Sequence, residues 1–199
     1  MGAAHFQRAY NTSGDTTMRD GTQKLLEEIT ELYRQNPGGA DEIRERAKWF
    51  FTGKIFVSHT STDHEFCVKY IVPTVSQFGV WGHFYLNWKH GLPAEAYRNL
   101  VEFALAFSKT VIIVASNNYL KSAWAKLEVR WTVQQKHPII ICLLDDIPLN
   151  LIHPKLRTNR WYDICSLPRA VIDFGRPDIG IGELDRLLHS NEFRPVTER

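Results

Sequence analysis

The segment Ser122-Ala-Trp-Ala-Lys-Leu-Glu-Val-Arg-Trp131 puts a carboxylate where an apolar side chain is expected. The segment reads as helical. Trp124, Leu127 and Trp131 recur at i, i+3 and i+7, and Glu128 is the i+4 member of that stripe. Charged side chains are almost never fully buried unless paired. A carboxylate forced into an apolar wall has its acidity perturbed, which makes it a candidate for chemistry. The alternative sets Glu128 at the edge of the stripe, paired with Lys126, Arg130 or a more distant base.

The elements that would position this group follow from the pattern of the rest of the chain. After Gly53 strands and helices alternate. Lys54-Ile-Phe-Val-Ser58 reads as a short strand. Thr62-Asp-His-Glu65 has capping-box spacing, and Phe66, Cys67, Tyr70, Ile71, Val75 and Phe78 continue a helical face. Pro73 falls inside that pattern and predicts a kink or an early end. Val80 to Leu86 reads as a strand, His90 to Pro93 as a loop, and Tyr97, Leu100, Val101, Ala104 and Leu105 as one face of a helix. Thr110-Val-Ile-Ile-Val-Ala115 and Pro138-Ile-Ile-Ile-Cys-Leu-Leu144 are near-continuous apolar runs. Such strands are buried on both faces, as in a parallel sheet covered by helices. The alternation continues through Trp161-Tyr-Asp-Ile164 and a last helix near Glu183 to Leu188. The expectation is an α/β fold, a flavodoxin-like doubly wound parallel sheet of about five strands, with an N-terminal helical extension.

That extension covers residues 21–52. Leu25, Leu26, Ile29, Leu32 and Tyr33 form one apolar face, breakers follow at Asn36-Pro-Gly-Gly39, and Ile43, Ala47 and Phe50 form a second. Packing of this hairpin on the main domain is favoured over a free partner-binding segment, because a lone helix of this length is marginal. Residues 1–20 are polar and read as disordered, residues 53–192 as the main domain, and 193–199 as a tail.

Composition narrows the function classes. Of 199 residues, 44% are hydrophobic and 23% charged, which is ordinary for a globular protein. A net charge of +2 with no basic run does not suggest nucleic-acid binding. No apolar run is long enough for a membrane span. The three cysteines, Cys67, Cys142 and Cys165, are widely spaced in apolar surroundings, as core residues of a reduced compartment. No metal-ligand spacing appears among them and the eight histidines. There is no signal core at the N-terminus, so a cytoplasmic location is expected.

Four stretches carry a family resemblance. Ile55-Phe-Val-Ser-His-Thr-Ser-Thr-Asp63 resembles the opening strand and loop of TIR (Toll/interleukin-1 receptor) domains. Ser116-Asn-Asn-Tyr-Leu-Lys-Ser-Ala-Trp-Ala-Lys-Leu-Glu128 closely resembles their Ser-x-x-Tyr-x-x-Ser-x-Trp-x-x-x-Glu signature, and this long motif is the specific one. Leu143-Leu-Asp-Asp-Ile-Pro148 and Trp161-Tyr-Asp163 are similar to the later strand ends. The resemblance spans about residues 54 to 190. Tyr85-Leu-Asn-Trp-Lys89 and Pro93-Ala-Glu-Ala96 depart from the family's second strand end and BB loop.

The resemblance implies one of two functions. Some TIR domains are adaptors that work by homotypic association. Others cleave NAD at its nicotinamide–ribose bond, and the glutamate matching Glu128 is their catalytic group. The presence of Glu128 favours the second class, with NAD as a consumed substrate, no cofactor, and a role in immune or anti-phage defence. Self-association through TIR surfaces and a separate effector protein are the further partners expected. On this view Ser58, His59 and Thr60 leave a strand end where open α/β sheets bind ligands. His59 contacts a phosphate or ribose, or is a solvated loop histidine. Trp88 stacks on nicotinamide or adenine, or packs. Ser122 contacts a ribose, or is the N-cap of the Glu128 helix. Trp124 is a wall of the site, or core. No glycine-rich dinucleotide loop is present, which argues against a redox dehydrogenase.

Overall fold

The computed structural model describes residues 27–32, 34–36, 39–52, 54–78, 80–82, 94–156, 162–163 and 167–193. Strands β1 (Ile55–Ser58), β2 (Val80–Gly82), β3 (Thr110–Ala115), β4 (Ile139–Leu143), β5 (Tyr162–Asp163) and β6 (Leu167–Asp173) form one sheet in the order β2-β1-β3-β4-β6-β5. Among the described residues, every pairing from β2 to β6 is parallel, and the short β5 runs antiparallel at the edge. Without that edge strand the order is that of a flavodoxin-like doubly wound sheet. The order reverses between β1 and β3, which register as Ile55 opposite Thr110 and Ser58 opposite Ile113.

The two faces of the sheet build two apolar cores. Phe56, Val111, Ile113, Ile139 and Ile141 point to one side. Ile55, Val57, Ile112, Val114, Ile140 and Ile172 point to the other. This is the period-2 alternation of strand side chains, with both sets buried. The first core is covered by helix α1 (Ala40–Phe51), helix α3 (Ala94–Phe107) and helix α5 (Ala123–Gln135). The second is covered by a composite helix α2 (residues 61–78) and by helix α7 (Pro177–His189). Short helices α4 (Asn117–Lys121) and α6 (Leu149–Ile152) complete the order.

The N-terminal hairpin is part of the first core. Ile29, Ile43, Ala47 and Phe51 are all buried in one cluster with Tyr97, Leu100, Val101 and Ala104 of α3. Helix α1 thus forms an outer layer on α3. Leu25, Leu26, Tyr33 and the side chain of Phe50, also expected on these faces, lie outside the described residues, as do residues 1–20, 83–93, 194–199 and Cys165. Cys67 and Cys142 are free thiols in the second core. Phe193 is buried there too, and Thr110 donates a hydrogen bond of 3.0 Å to its carbonyl.

Two expectations are corrected. The fifth parallel strand is Leu167–Asp173, not the Trp161 to Ile164 stretch, of which Tyr162–Asp163 forms the antiparallel edge. Its signal is weak in sequence because Pro168, Arg169 and Asp173 interrupt the apolar residues, among which Ala170 and Ile172 are buried. The capping box at Thr62 does not form, because α2 begins earlier. Thr60 stands at the N-cap position with extended backbone, and Thr62 is exposed inside the first turn. Just ahead of Pro73 the helix passes through a π-helical turn, Cys67–Ile71, after which the Val72 N–H reaches back to the Cys67 carbonyl. Pro73 follows in the first turn of the next α segment, where a missing donor costs little.

Candidate functional site

Ser58 ends β1 and Ser116 follows β3, so the two lie at strand carboxyl ends on either side of the reversal in strand order. Open α/β sheets bind ligands in that crevice. Helix α5 crosses behind it. Ser122 caps its first turn, with Oγ accepting from the Ala125 N–H at 3.1 Å. The N-cap alternative for Ser122 is therefore the one its oxygen serves. At the other end Lys136 takes the left-handed conformation, φ 60°, and donates to the Thr132 carbonyl. With the helix anchored at both ends, Trp124 and Glu128 stand one turn apart on the face toward the sheet.

Glu128 is wholly buried, with 0% of its surface exposed. Trp124 Nε1–H donates to Oε1 at 2.7 Å, and Ser58 Oγ–H donates to Oε2 at 2.5 Å. The Tyr119 hydroxyl lies 2.7 Å from Ser58 Oγ. Both donors to the carboxylate are neutral. Lys126 and Arg130, the bases considered as partners from sequence, are exposed on the opposite side of the helix. Burial, with no counter-ion among the described residues, pushes the Glu128 carboxyl up to about 8 from an ordinary 4.5, against the opposing pull of the Ser58 and Trp124 hydrogen bonds.

Aromatic rings wall the group in. Tyr97, from the first turn of α3, lies 5.3 Å from Trp124 between ring centroids, and Trp124 meets Trp131 edge-on at 6.2 Å. Burial, and secondarily the Glu128 charge, raise the Tyr97 phenol well above its usual range. The Tyr119 phenol is raised for the same two reasons in the same order. Trp124 is the half-buried member of this wall.

A second buried cluster sits beside the first. Asp63 Oδ2 accepts from Thr60 Oγ1 and from Ser116 Oγ, each at 2.6 Å. Ser116 Oγ in turn accepts from the amides of Asn118 and Tyr119 and caps α4. Asp63 thereby ties the exit of β1 to the exit of β3. His59 Nε2 lies 3.3 Å from His64 Nδ1, with the two rings stacked at 5.6 Å. Burial lowers the His64 pKa below its usual value.

The structure therefore brings Glu128, Ser58 and Trp124 together. Thr60 and His59 turn to Asp63 and His64 in the adjoining cluster, Ser122 caps α5, and Trp88 lies outside the described residues. Tyr97, Tyr119, Asp63 and Ser116 were not singled out from sequence. Tyr119 and Ser116 stand inside the long motif, whereas Tyr97 is indistinguishable from its apolar neighbours on α3. Among the described residues no group of three or more His, Cys, Asp or Glu is arranged to hold a metal ion. No helix among them is long and apolar enough to cross a membrane.

The raised Glu128 carboxyl has a consequence for stability. A group with a folded pKa above its unfolded value stabilises fully below the unfolded value and loses that contribution as pH rises through the folded one. For Glu128 the window runs from 4.5 to about 8. Within it the loss amounts to about 1.4 kcal/mol per pH unit. Glu128→Gln is expected to unfold near the parent's midpoint temperature at the acid end and above it at the alkaline end. Parallel melting curves with a constant offset across the window would contradict a buried, raised carboxyl.

A family model for the TIR domain matches residues 55–173. No curated protein matches the sequence. Two solved chains match in structure. One is the Clostridium botulinum CMP N-glycosidase BcmB, 12% identical, with a TM-score of 0.48 and coverage of 68% of this chain and 99% of that chain.

Proposed function

The chain belongs to the TIR domain family, and from that premise we propose that it cleaves the nicotinamide–ribose bond of NAD, as a glycohydrolase or cyclase, in immune or anti-phage defence signalling. One observation carries the reading: a carboxylate at the carboxyl end of the sheet, wholly buried and held by two neutral donors, with no cation bonded to it among the described residues. A carboxylate kept without a counter-ion in an apolar wall is available to a cationic partner, and a structural ion pair is not.

The chemistry needs one carboxylate. Ordinary glycosidases use two because the leaving alkoxide must be protonated. Nicotinamide in NAD is already cationic and departs as a neutral base, taking the electron pair of the C–N bond. Positive charge then develops at the anomeric carbon, and charged Glu128 stabilises it where water is excluded. Attack by water gives ADP-ribose, with the water proton passing to Glu128. Attack by an adenine nitrogen gives a cyclic product. Because Glu128 is fully covered, substrate reaches it only by displacing part of the wall. Trp124, half-buried and bonded to Oε1, is the side chain whose movement exposes the reactive oxygen.

The pH–rate profile tests this role. In the free protein the carboxyl is mostly neutral below about 8. The charged form is the reactive one, so kcat/KM for NAD cleavage is expected to rise about tenfold per pH unit below that point and to level above it. The inflection in kcat is expected at lower pH, because the bound cation favours the carboxylate. A kcat/KM that does not vary with pH across this window contradicts the assignment.

Self-association through TIR surfaces belongs to the same reading, with the segment from Gly91 to Ala96 as the contact loop. Specific activity is then expected to increase with protein concentration. Rates strictly proportional to enzyme over several decades would show a self-sufficient monomer. The second reading, a non-catalytic adaptor working by homotypic association, draws on one observation, the complete closure over Glu128.

A further inference from the structure

The hydroxyls beneath Glu128 can be oriented in two ways, and the choice depends on its charge. Ser58 Oγ lies 2.5 Å from Glu128 Oε2 and 2.7 Å from Tyr119 Oη. Tyr119 Oη also lies 3.4 Å from the Ala125 carbonyl oxygen. Each hydroxyl has one proton to give. When Glu128 is charged, the Ser58 proton goes to Oε2 and the Trp124 N–H to Oε1. The short contact between Ser58 and Tyr119 then has only the Tyr119 proton to fill it, so Tyr119 donates to Ser58.

When Glu128 is neutral the order must reverse. The indole is a donor only and offers a proton on Oε1 no acceptor, whereas the Ser58 hydroxyl beside Oε2 can accept one. The proton therefore sits on Oε2 and is accepted by Ser58 Oγ. Ser58 turns its own proton to Tyr119, and Tyr119 gives its proton to the Ala125 carbonyl. The same heavy atoms serve both states. Two hydroxyl protons change direction, one proton is gained on Oε2, and no side chain is displaced.

We propose that Ser58 and Tyr119 are positioning residues that form a reversible hydrogen-bond relay, holding Glu128 in one place in both of its protonation states. Its use in catalysis rests on the NAD-cleaving reading above; the relay itself operates without substrate. When an arriving cation favours the carboxylate and the Oε2 proton departs to solvent through the opened wall, only two hydroxyls turn, the small reorganisation under which preorganised groups act most strongly. The relay ends at a carbonyl in the first turn of α5, so it fixes polarity and does not conduct protons away. Among the described residues, the ionisable groups facing Glu128 are Tyr97 from α3 and Tyr119 from α4. The sheet contributes Ser58, and Lys126 and Arg130 of α5 itself are exposed.

The test uses the full chain labelled with carbon-13 at the tyrosine ring carbon that bears the hydroxyl. Tyr119 is assigned by its loss in Tyr119→Phe. The Tyr119 resonance is expected to move as Glu128 titrates. In Glu128→Gln the amide nitrogen donates to Ser58, so the resonance should stay at its low-pH position at every pH. In Ser58→Ala the carboxyl remains but the relay is cut, and most of the movement should vanish. A movement in Ser58→Ala as large as in the parent would show a direct field effect and overturn the relay. So would a Tyr119 signal that never moves. Should Ser58→Ala fail to fold, Tyr119→Phe supplies the second reading. The infrared carboxyl band of Glu128 should titrate at higher pH in that variant, although residue 119 bonds no atom of Glu128, because the charged form loses its polarised donor. An unshifted band midpoint overturns the proposal. A relay confirmed in a protein that leaves NAD intact would refute the proposed reaction alone.

Discussion

Glu128→Gln is expected to lower NAD cleavage by about 100-fold or more, the size seen for removal of one preorganised electrostatic group. The substitution keeps the shape of the side chain and removes its charge. The fold is expected to survive, since a buried amide costs less than a buried carboxylate and both neighbouring donors can still be satisfied. Trp124 can donate to the amide oxygen, and Ser58 can turn to accept from the amide nitrogen. Loss of activity therefore reports on the charge, provided that circular dichroism and melting show a folded protein. Unchanged turnover in a folded variant would remove Glu128 from the mechanism.

Deletion of residues 1–51 is expected to be the most damaging structural change. It takes Ile29, Ile43, Ala47 and Phe51 out of the first core and uncovers the Tyr97, Leu100 and Val101 face of α3. Each large apolar side chain lost from burial is worth about 1.5–3 kcal/mol, and a domain's whole stability is about 5–15 kcal/mol. The midpoint of unfolding is expected to fall by about 10 °C or more, with aggregation through the bared face. The damage extends to the site, because α3 carries Tyr97 against Trp124. A chain starting at Thr52 that melts with the parent and stays monodisperse would mean that the hairpin is dispensable to the domain.

The sequence made the central strands legible because β1, β3 and β4 are apolar on both faces and leave no ambiguity of side. The strand β6 was misplaced because its polar residues hide a buried pair, Ala170 and Ile172, that only the neighbouring β4 reveals. Glu128 was legible for the opposite reason, as the one charge in an apolar stripe. Its partners were not. Ser58 is 70 positions away, and a pairing between a strand end and a crossing helix has no local signature. Trp124 was recognised as one helical turn from Glu128, but the direction of its indole N–H depends on packing. The pairing of Thr60 with Asp63 was obscured by the equally plausible spacing of Thr62 and Glu65. What decided between them was Ser116, which draws Asp63 inward from across the sheet.

The most direct test is to incubate the purified chain and its Glu128→Gln variant with NAD at several protein concentrations, near and above the Glu128 pKa, and to identify products by mass spectrometry. The account predicts free nicotinamide together with ADP-ribose or a cyclic isomer from the parent, with release greater at the higher pH, and almost none from the variant. NAD recovered intact from the folded, concentrated parent at both pH values would contradict it.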